Sequence, residues 1–220
     1  MRRPISDEGE MKPIRLVCAT RCSPEAFKKT LLGSSLWRLG NVSCDIVYNN
    51  RDGLCKVYNR FLVPQYQNEI LVFLHDDIGL DDYWLQLRCN EATEKFDVVG
   101  LTGLSYIISD RNWNGASPWD CGAVAEPHRM WRPATNAPHR VYTVDGQCIA
   151  INTEKILASG IYWDEQFTFD FYDIDFCRQC NEKGLLIGVW PIALTHGGKG
   201  SAGTASYNHM LKLFNAKWNR

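Results

Sequence analysis

Three groups of polar side chains in this 220-residue chain have the types and positions that chemistry requires. His75, Asp76 and Asp77 follow directly on the apolar run Ile70–Leu74. Asp173 and Asp175 stand in an aromatic and acidic stretch, FTFDFYDIDF, at 167–176. His196 precedes a short glycine loop, GGKGS, at 197–201. Adjacent carboxylates repel each other unless a cation or a donor sits between them. Carboxylate oxygens with one imidazole suit Mg²⁺ or Mn²⁺ rather than a thiolate-bound metal. Such ions keep positions open for phosphate oxygens. Backbone amides, a hydroxyl and Lys199 in the glycine loop are groups that hold phosphate. The three groups together describe a site for a metal–diphosphate. Each has a plainer reading: a loop with a helix N-cap at Asp76 or Asp77, an N-cap at Asp173, and a structural histidine at a strand end.

The elements that must position these residues alternate. Ile14–Ala19 reads as a buried strand. Ser23-Pro24-Glu25 opens a helix that runs to about Leu39, by the N-cap and N1-proline rule. Asp45–Tyr48 is a second strand, ending in the polar turn Asn49–Gly53, and Leu54–Leu62 is a helix. Ile70–Leu74, apolar throughout, is a strand buried on both faces, and its C-terminal end carries His75–Asp77. The order β-α-β-α-β implies a parallel sheet with right-handed crossovers. In such sheets ligands bind beyond the C-terminal strand ends. A helix at Asp81–Glu94 and a strand at Asp97–Leu101 follow. The segment Ser109–Arg140, rich in Trp, Pro, Asn and Gly, is long for a connection and reads as functional or mobile, a lid over an acceptor. Val141–Ile151 reads as a strand pair broken at Asp145-Gly146. Glu154–Ser159 is a helix capped at Gly160, and Asp173–Lys183 a helix with Gly184 just past its end. Leu185–Trp190 is a strand, and Ile192–Thr195 leads to His196. In the tail, 207–220, Tyr207, Met210, Leu211, Phe214 and Trp218 form one helical face that packs on the domain.

A net charge of −1 gives no support to non-specific nucleic-acid binding. No apolar run reaches the ~18 residues of a transmembrane span. The first twelve residues read as a flexible tail without the apolar core of a signal peptide, and 13–206 as the main domain. Nine cysteines, scattered in apolar contexts, point to buried thiols in a reducing, cytoplasmic compartment. Cys177 and Cys180 fall in a helix rather than on the turns a zinc ribbon needs.

The order of these parts resembles the GT-A glycosyltransferases, in particular the glycosyltransferase family 2-like group, over Ile14 to about Ser201. HDD at 75–77 looks like that family's DxD motif, with His75 where an Asp is commoner. VDGQCIAI followed by FTFDFYDIDFCRQCNEKG resembles its acceptor-side strand and acidic catalytic stretch, with Tyr172-Asp173 where Glu-Asp is usual. LTHGGKGS looks like its late histidine. The resemblance implies an α/β fold, a GT-A (Rossmann-like) three-layer α/β/α sandwich with a mostly parallel central sheet. It implies that Asp77 and His196 hold the metal, Mn²⁺ or Mg²⁺, and that Asp173 is the catalytic base. Thr20, Asn49, Asn50, Asn59, His75, Asp76 and Lys199 would line the nucleotide-sugar. The implied activity is transfer of a sugar, with inversion, from a nucleoside-diphosphate-sugar (UDP expected) to a hydroxyl acceptor such as a carbohydrate. A sugar nucleotidyltransferase would want a Gly-rich, basic loop after the first strand, which ATRCSPEAF lacks. A non-catalytic nucleotide- or carbohydrate-binding module would not need Asp77, Asp173 and His196 together. Asp173 and Asp175 point about 200° apart on a helix, so only one faces a pocket. The helix N-terminus is expected to favour the ionised form of Asp173.

Overall fold

The computed structural model describes residues 11–40, 42–106, 120–127, 129–131, 137–198 and 200–218. In chain order it begins with β1 (Ile14–Ala19), two short helices α1 (Pro24–Phe27) and α2 (Leu31–Ser35), β2 (Ser43–Val47), α3 (Leu54–Tyr58), β3 (Ile70–Leu74) and β4 (Ile78–Leu80). Next come α4 (Leu85–Lys95), β5 (Val98–Gly100), β6 (Thr102–Leu104), β7 (Cys121–Gly122), β8 (Val124–Glu126), β9 (Arg129–Trp131) and β10 (His139–Val141). The chain closes with β11 (Thr143–Val144), β12 (Cys148–Asn152), α5 (Thr153–Ser159), α6 (Tyr172–Glu182), β13 (Ile187–Val189), β14 (Leu194–His196) and α7 (Ala205–Trp218).

A seven-stranded sheet in the order β10-β13-β5-β12-β3-β1-β2 forms the middle layer. β1, β2 and β3 are mutually parallel, as are β5 and β13, whereas β12 and β10 run against their neighbours. The sheet is therefore mostly parallel. β3 is buried on both faces because its alternate side chains enter two different cores. Leu71 and Phe73 pack with residues of α3, α6 and α7, while Ile70, Val72 and Leu74 pack with residues of α2 and α4. That makes three layers, helices on either side of the sheet. The core thiols are part of it: Cys18, Cys55, Cys89, Cys148, Cys177 and Cys180 are buried, and none of the nine cysteines is in a disulfide.

Two antiparallel pairings position the site. β12 runs against β3 with Cys148 opposite Leu74, so the residues just before β12 meet the C-terminal end of β3. There the His75 amide donates to the Gln147 carbonyl at 3.2 Å. β14 runs against β4 with His196 opposite Ile78, and the Gly197 amide donates to the Asp77 carbonyl at 2.8 Å. His196 is thereby fixed beside Asp77.

Several expected elements are shorter than the sequence indicates. The helix expected from Ser23 to Leu39 is broken. Ser23 caps it as expected, but Thr30 caps a second start by accepting from the Gly33 amide at 3.0 Å. The break frees the Leu32 amide to donate to the Asp76 carbonyl at 3.1 Å. The Leu54–Leu62 helix ends at Tyr58, and the rest of that segment is turns. Asp81 and Asp82 do not open a helix. Asp81 accepts from Arg38 Nη1 and Thr195 Oγ1, both at 2.6 Å, and so ties β14 to the segment after β4. The residues before them form β4, and α4 begins only at Leu85. Of the expected tail, residues 1–10 lie outside the described residues, while Lys12 pairs with Glu154 at 3.0 Å. Trp113 and Trp119 of the expected lid also lie outside the described residues, and the described remainder of that segment includes β7 to β10. Among the described residues no helix is long and apolar enough to cross a membrane.

Candidate active site

Three polar residues in succession follow the C-terminal end of β3, and the turn they form, closed by the Ile78 amide donating to the His75 carbonyl, divides them. His75 and Asp77 face a cleft of about 390 Å³ lined also by Asp145, Gly146, Gln147, Asp170, Tyr172, Asp173 and His196. Asp76 is not among the lining residues. Its carboxylate accepts from Thr20 Oγ1 at 2.5 Å and its carbonyl from α2, which ties the end of β3 to the end of β1.

Asp77 and His196 come closest to a metal site. His196 Nε2 lies 3.7 Å from Asp77 Oδ2, and Asp77 Oδ1 is buried with no hydrogen-bond partner. Gly198 lies against both: a Cβ there would come within 2.5 Å of Asp77 Oδ2 and of His196 Nε2. An orphaned carboxylate oxygen beside an imidazole fits a hard divalent ion held by two protein groups that takes its remaining ligands from phosphate and water. Among the described residues no three His, Cys, Asp or Glu side chains converge as a metal cluster.

Asp173 opens α6 and is buried. Its Oδ2 accepts from the Gly146 amide at 2.7 Å and its Oδ1 from the Ile174 amide at 2.9 Å. Gly146 must be glycine, because a Cβ would lie 2.3 Å from the Tyr172 hydroxyl. That hydroxyl donates to the Gly146 carbonyl at 2.7 Å and lies 2.8 Å from His75 Nε2. Its one proton is spent on Gly146, so it accepts from Nε2–H and leaves His75 Nδ1 without the ring proton. Burial holds the His75 pKa below its usual value, which favours this neutral form. Phe171, just before Tyr172, has φ 65°, a strained left-handed conformation, and packs on Tyr207 and Phe214 of α7.

The electrostatics of Asp173 correct the sequence expectation. Burial pushes its carboxyl up to about 6, outweighing the backbone amides, those of Ile174 and Gly146 foremost, that favour ionisation. Asp145 rises to about 7, first by burial and then by the charge of Asp173. Asp175 points away from the cleft. It is fully buried, pairs with Lys217 Nζ at 2.6 Å and accepts from Trp218 Nε1 at 2.8 Å, so it clamps α7 onto α6.

The remaining sequence candidates fall in three places. Thr20, Asn49 and Asn50 sit together at the ends of β1 and β2, where the Asn49 amide donates to the Cys22 carbonyl and the Asn50 amide to that of Thr20. None of the three lines the cleft. Asn59 is committed elsewhere. It donates to the Trp163 carbonyl at 2.9 Å and accepts from the Trp163 amide at 2.9 Å, so it braces a turn instead of facing the cleft. Lys199 lies outside the described residues. The sequence pattern does not mark Asp145, Gln147 and Asp170, which line the cleft, as site residues. The available signal was the acid-glycine interruption of the strand at Asp145-Gly146, which reads locally as a turn.

The layer order and the strand-end cleft define the GT-A fold. A197 from STIV has a crystal structure similar over 87% of this chain and 97% of its own, with TM-score 0.50 and 12% identity. The structure of GalNAc-T7 with UDP, GalNAc and Mn²⁺ is similar over 92% of this chain, with TM-score 0.54 and 12% identity. The chain spans about half of that second protein, 48% of its length. No curated protein sequence matches the chain. The model of the glycosyltransferase-like family matches residues 40–212, so the chain belongs to that family and is a glycosyltransferase.

Proposed function

We propose that this glycosyltransferase is metal-dependent and inverting, and that it moves a sugar from a nucleoside-diphosphate-sugar, UDP being the expected nucleotide, to a hydroxyl acceptor such as a carbohydrate. The observation that carries the reading is the convergence of Asp77, His196 and Asp173 on one cleft at the C-terminal sheet edge. Asp77 and His196 are the residues to hold Mn²⁺ or Mg²⁺. When bound, such an ion supplies positive charge against the leaving diphosphate. Thr20, Asn49 and Asn50, at the neighbouring strand ends, are proposed to line the nucleotide, and Lys199 its phosphates. His75 stands ready with a free Nδ1, and Asp76 holds the strand end in place.

Asp173 is the proposed base. It takes the proton from the acceptor hydroxyl as that oxygen attacks the anomeric carbon and the bond to the diphosphate oxygen breaks. One attack on the face opposite the leaving group inverts the centre. A carboxyl held near 6 is ionised at neutral pH yet basic enough to accept a proton, which suits this task. Nine cysteines with no disulfide among them support the proposal of a reducing compartment.

The test is thermal stabilisation by UDP with Mn²⁺ and again in EDTA, followed by NMR of the anomeric product. At 100 times Kd the ligand should add about 2.7 kcal/mol of stability, only with metal. Equal stabilisation in EDTA, or a product of retained configuration, would overturn the reading. UDP-sugar hydrolysis also separates an enzyme from a module that only binds.

A further inference from the structure

The cleft holds two buried acceptors that the reaction steps above do not use. Asp170 is 7% exposed and Gln147 1%. Asp170 Oδ1 accepts from Ser201 Oγ, but Oδ2 has no partner. Gln147 spends its amide protons on Thr102 Oγ1 and Asp145 Oδ2, at 3.2 and 3.3 Å, and its Oε1 has no partner. Both side chains line the cleft. Buried oxygens of this kind are costly unless a donor reaches them.

The two residues flank the proposed base. Asp170 lies three residues before Asp173, and Gln147 follows Gly146, whose amide holds Asp173. In a direct displacement the sugar ring lies between the leaving phosphate oxygen and the base. The ring therefore presents its hydroxyls to this part of the wall. Asp145, Asp170 and Asp173 all line the cleft, and none of its described lining residues is a lysine or arginine. A ligand with hydroxyl or amide protons satisfies such a wall, and a ligand carboxylate is repelled by it.

We infer that Asp170 and Gln147 form the subsite for the transferred sugar, and that it selects a neutral, hydroxyl-rich hexose over a uronic acid. This rests on the nucleotide-sugar reading of the same cleft. The experiment measures binding by calorimetry with Mn²⁺ for UDP, UDP-glucose, UDP-galactose, UDP-N-acetylglucosamine and UDP-glucuronic acid. At least one neutral donor should bind about tenfold more tightly than UDP, the effect of two added hydrogen bonds. UDP-glucuronic acid should bind no more tightly than UDP. Asp170→Leu, which removes both acceptor oxygens, should erase the neutral-sugar advantage while UDP itself binds as before, which also reports an intact fold. Gln147→Met, a second variant, should reduce the same advantage, and Ser201→Ala should leave it. A uronic acid donor that binds more tightly than every neutral one, or an advantage intact in both Asp170→Leu and Gln147→Met, would overturn the subsite while UDP binding preserved the underlying reading. Failure of UDP, GDP and dTDP alike to bind with Mn²⁺ would instead overturn the nucleotide-sugar reading and this inference with it.

Discussion

Asp173→Asn should separate activity from stability, because the same burial that tunes the base also costs the fold. The folded chain holds this carboxyl at about 6 against an ordinary 3.8. Below pH 3.8 it is protonated in both folded and unfolded chains, and burial carries no charge penalty. Between 3.8 and 6 the unfolded chain has released the proton that the folded chain keeps, so stability falls as pH rises. Above pH 6 the full penalty, about 3 kcal/mol, is in place. Asparagine is neutral throughout and escapes it. The substitution also leaves one of the two amides, Gly146 or Ile174, without its carboxylate acceptor, at a cost of about 1–2 kcal/mol that does not depend on pH. The variant should thus be about 1–2 kcal/mol more stable than the parent at pH 8. Its advantage should shrink by about 1 kcal/mol between pH 8 and pH 5. Urea unfolding at the two values measures this. In Tm the change corresponds to roughly 2–4 °C for a chain of this size. Turnover should fall by ~10²–10⁴ with donor binding nearly unchanged, and parental kcat/KM should rise with pH through about 6. A variant that turns over like the parent, or whose stability difference is the same at both pH values, would refute the argument.

Asp77→Ala should abolish Mn²⁺-dependent stabilisation by UDP without unfolding the chain, since one carboxylate oxygen has no partner to lose; His196→Ala should weaken it less, because imidazole is the poorer ligand for a hard ion. Normal Mn²⁺-dependent stabilisation of Asp77→Ala by UDP would remove Asp77 from the metal site. Asp175→Asn should lower stability by about 1–3 kcal/mol, below the usual cost of breaking a buried pair because Lys217 keeps Asp164 and is partly exposed. Its turnover should drop less than that of Asp173→Asn, and a larger loss would reassign the base. Tyr172→Phe leaves the Gly146 carbonyl and the His75 Nε2–H without their shared hydroxyl, and urea titration should read a loss of about 1–3 kcal/mol; an unchanged midpoint would show that the bridge carries no stability.

The sequence determined the features that act within a few residues. Ile70–Leu74 is legible as a buried strand because an unbroken apolar run has no polar face to expose. Ser23 with Pro24 marks a helix start, and Gly160 and Gly184 mark helix ends, because caps satisfy or relax only the adjacent turn. The remaining features depend on contacts between distant segments. The helix from Ser23 breaks where Thr30 offers a second cap and the Leu32 amide finds the Asp76 carbonyl, which a local pattern does not contain. Asn59 is expected at the nucleotide through the family resemblance, but the fold spends its amide on Trp163, 104 residues away in sequence. Asp145 and Asp170 join the cleft because β12 runs against β3 and α6 docks on Gly146. The pKa of Asp173 depends on the competition between a helix N-terminus, visible in sequence, and desolvation, which exists only once distant segments have covered it. Burial wins that competition, so only the tertiary structure decides the sign of the shift.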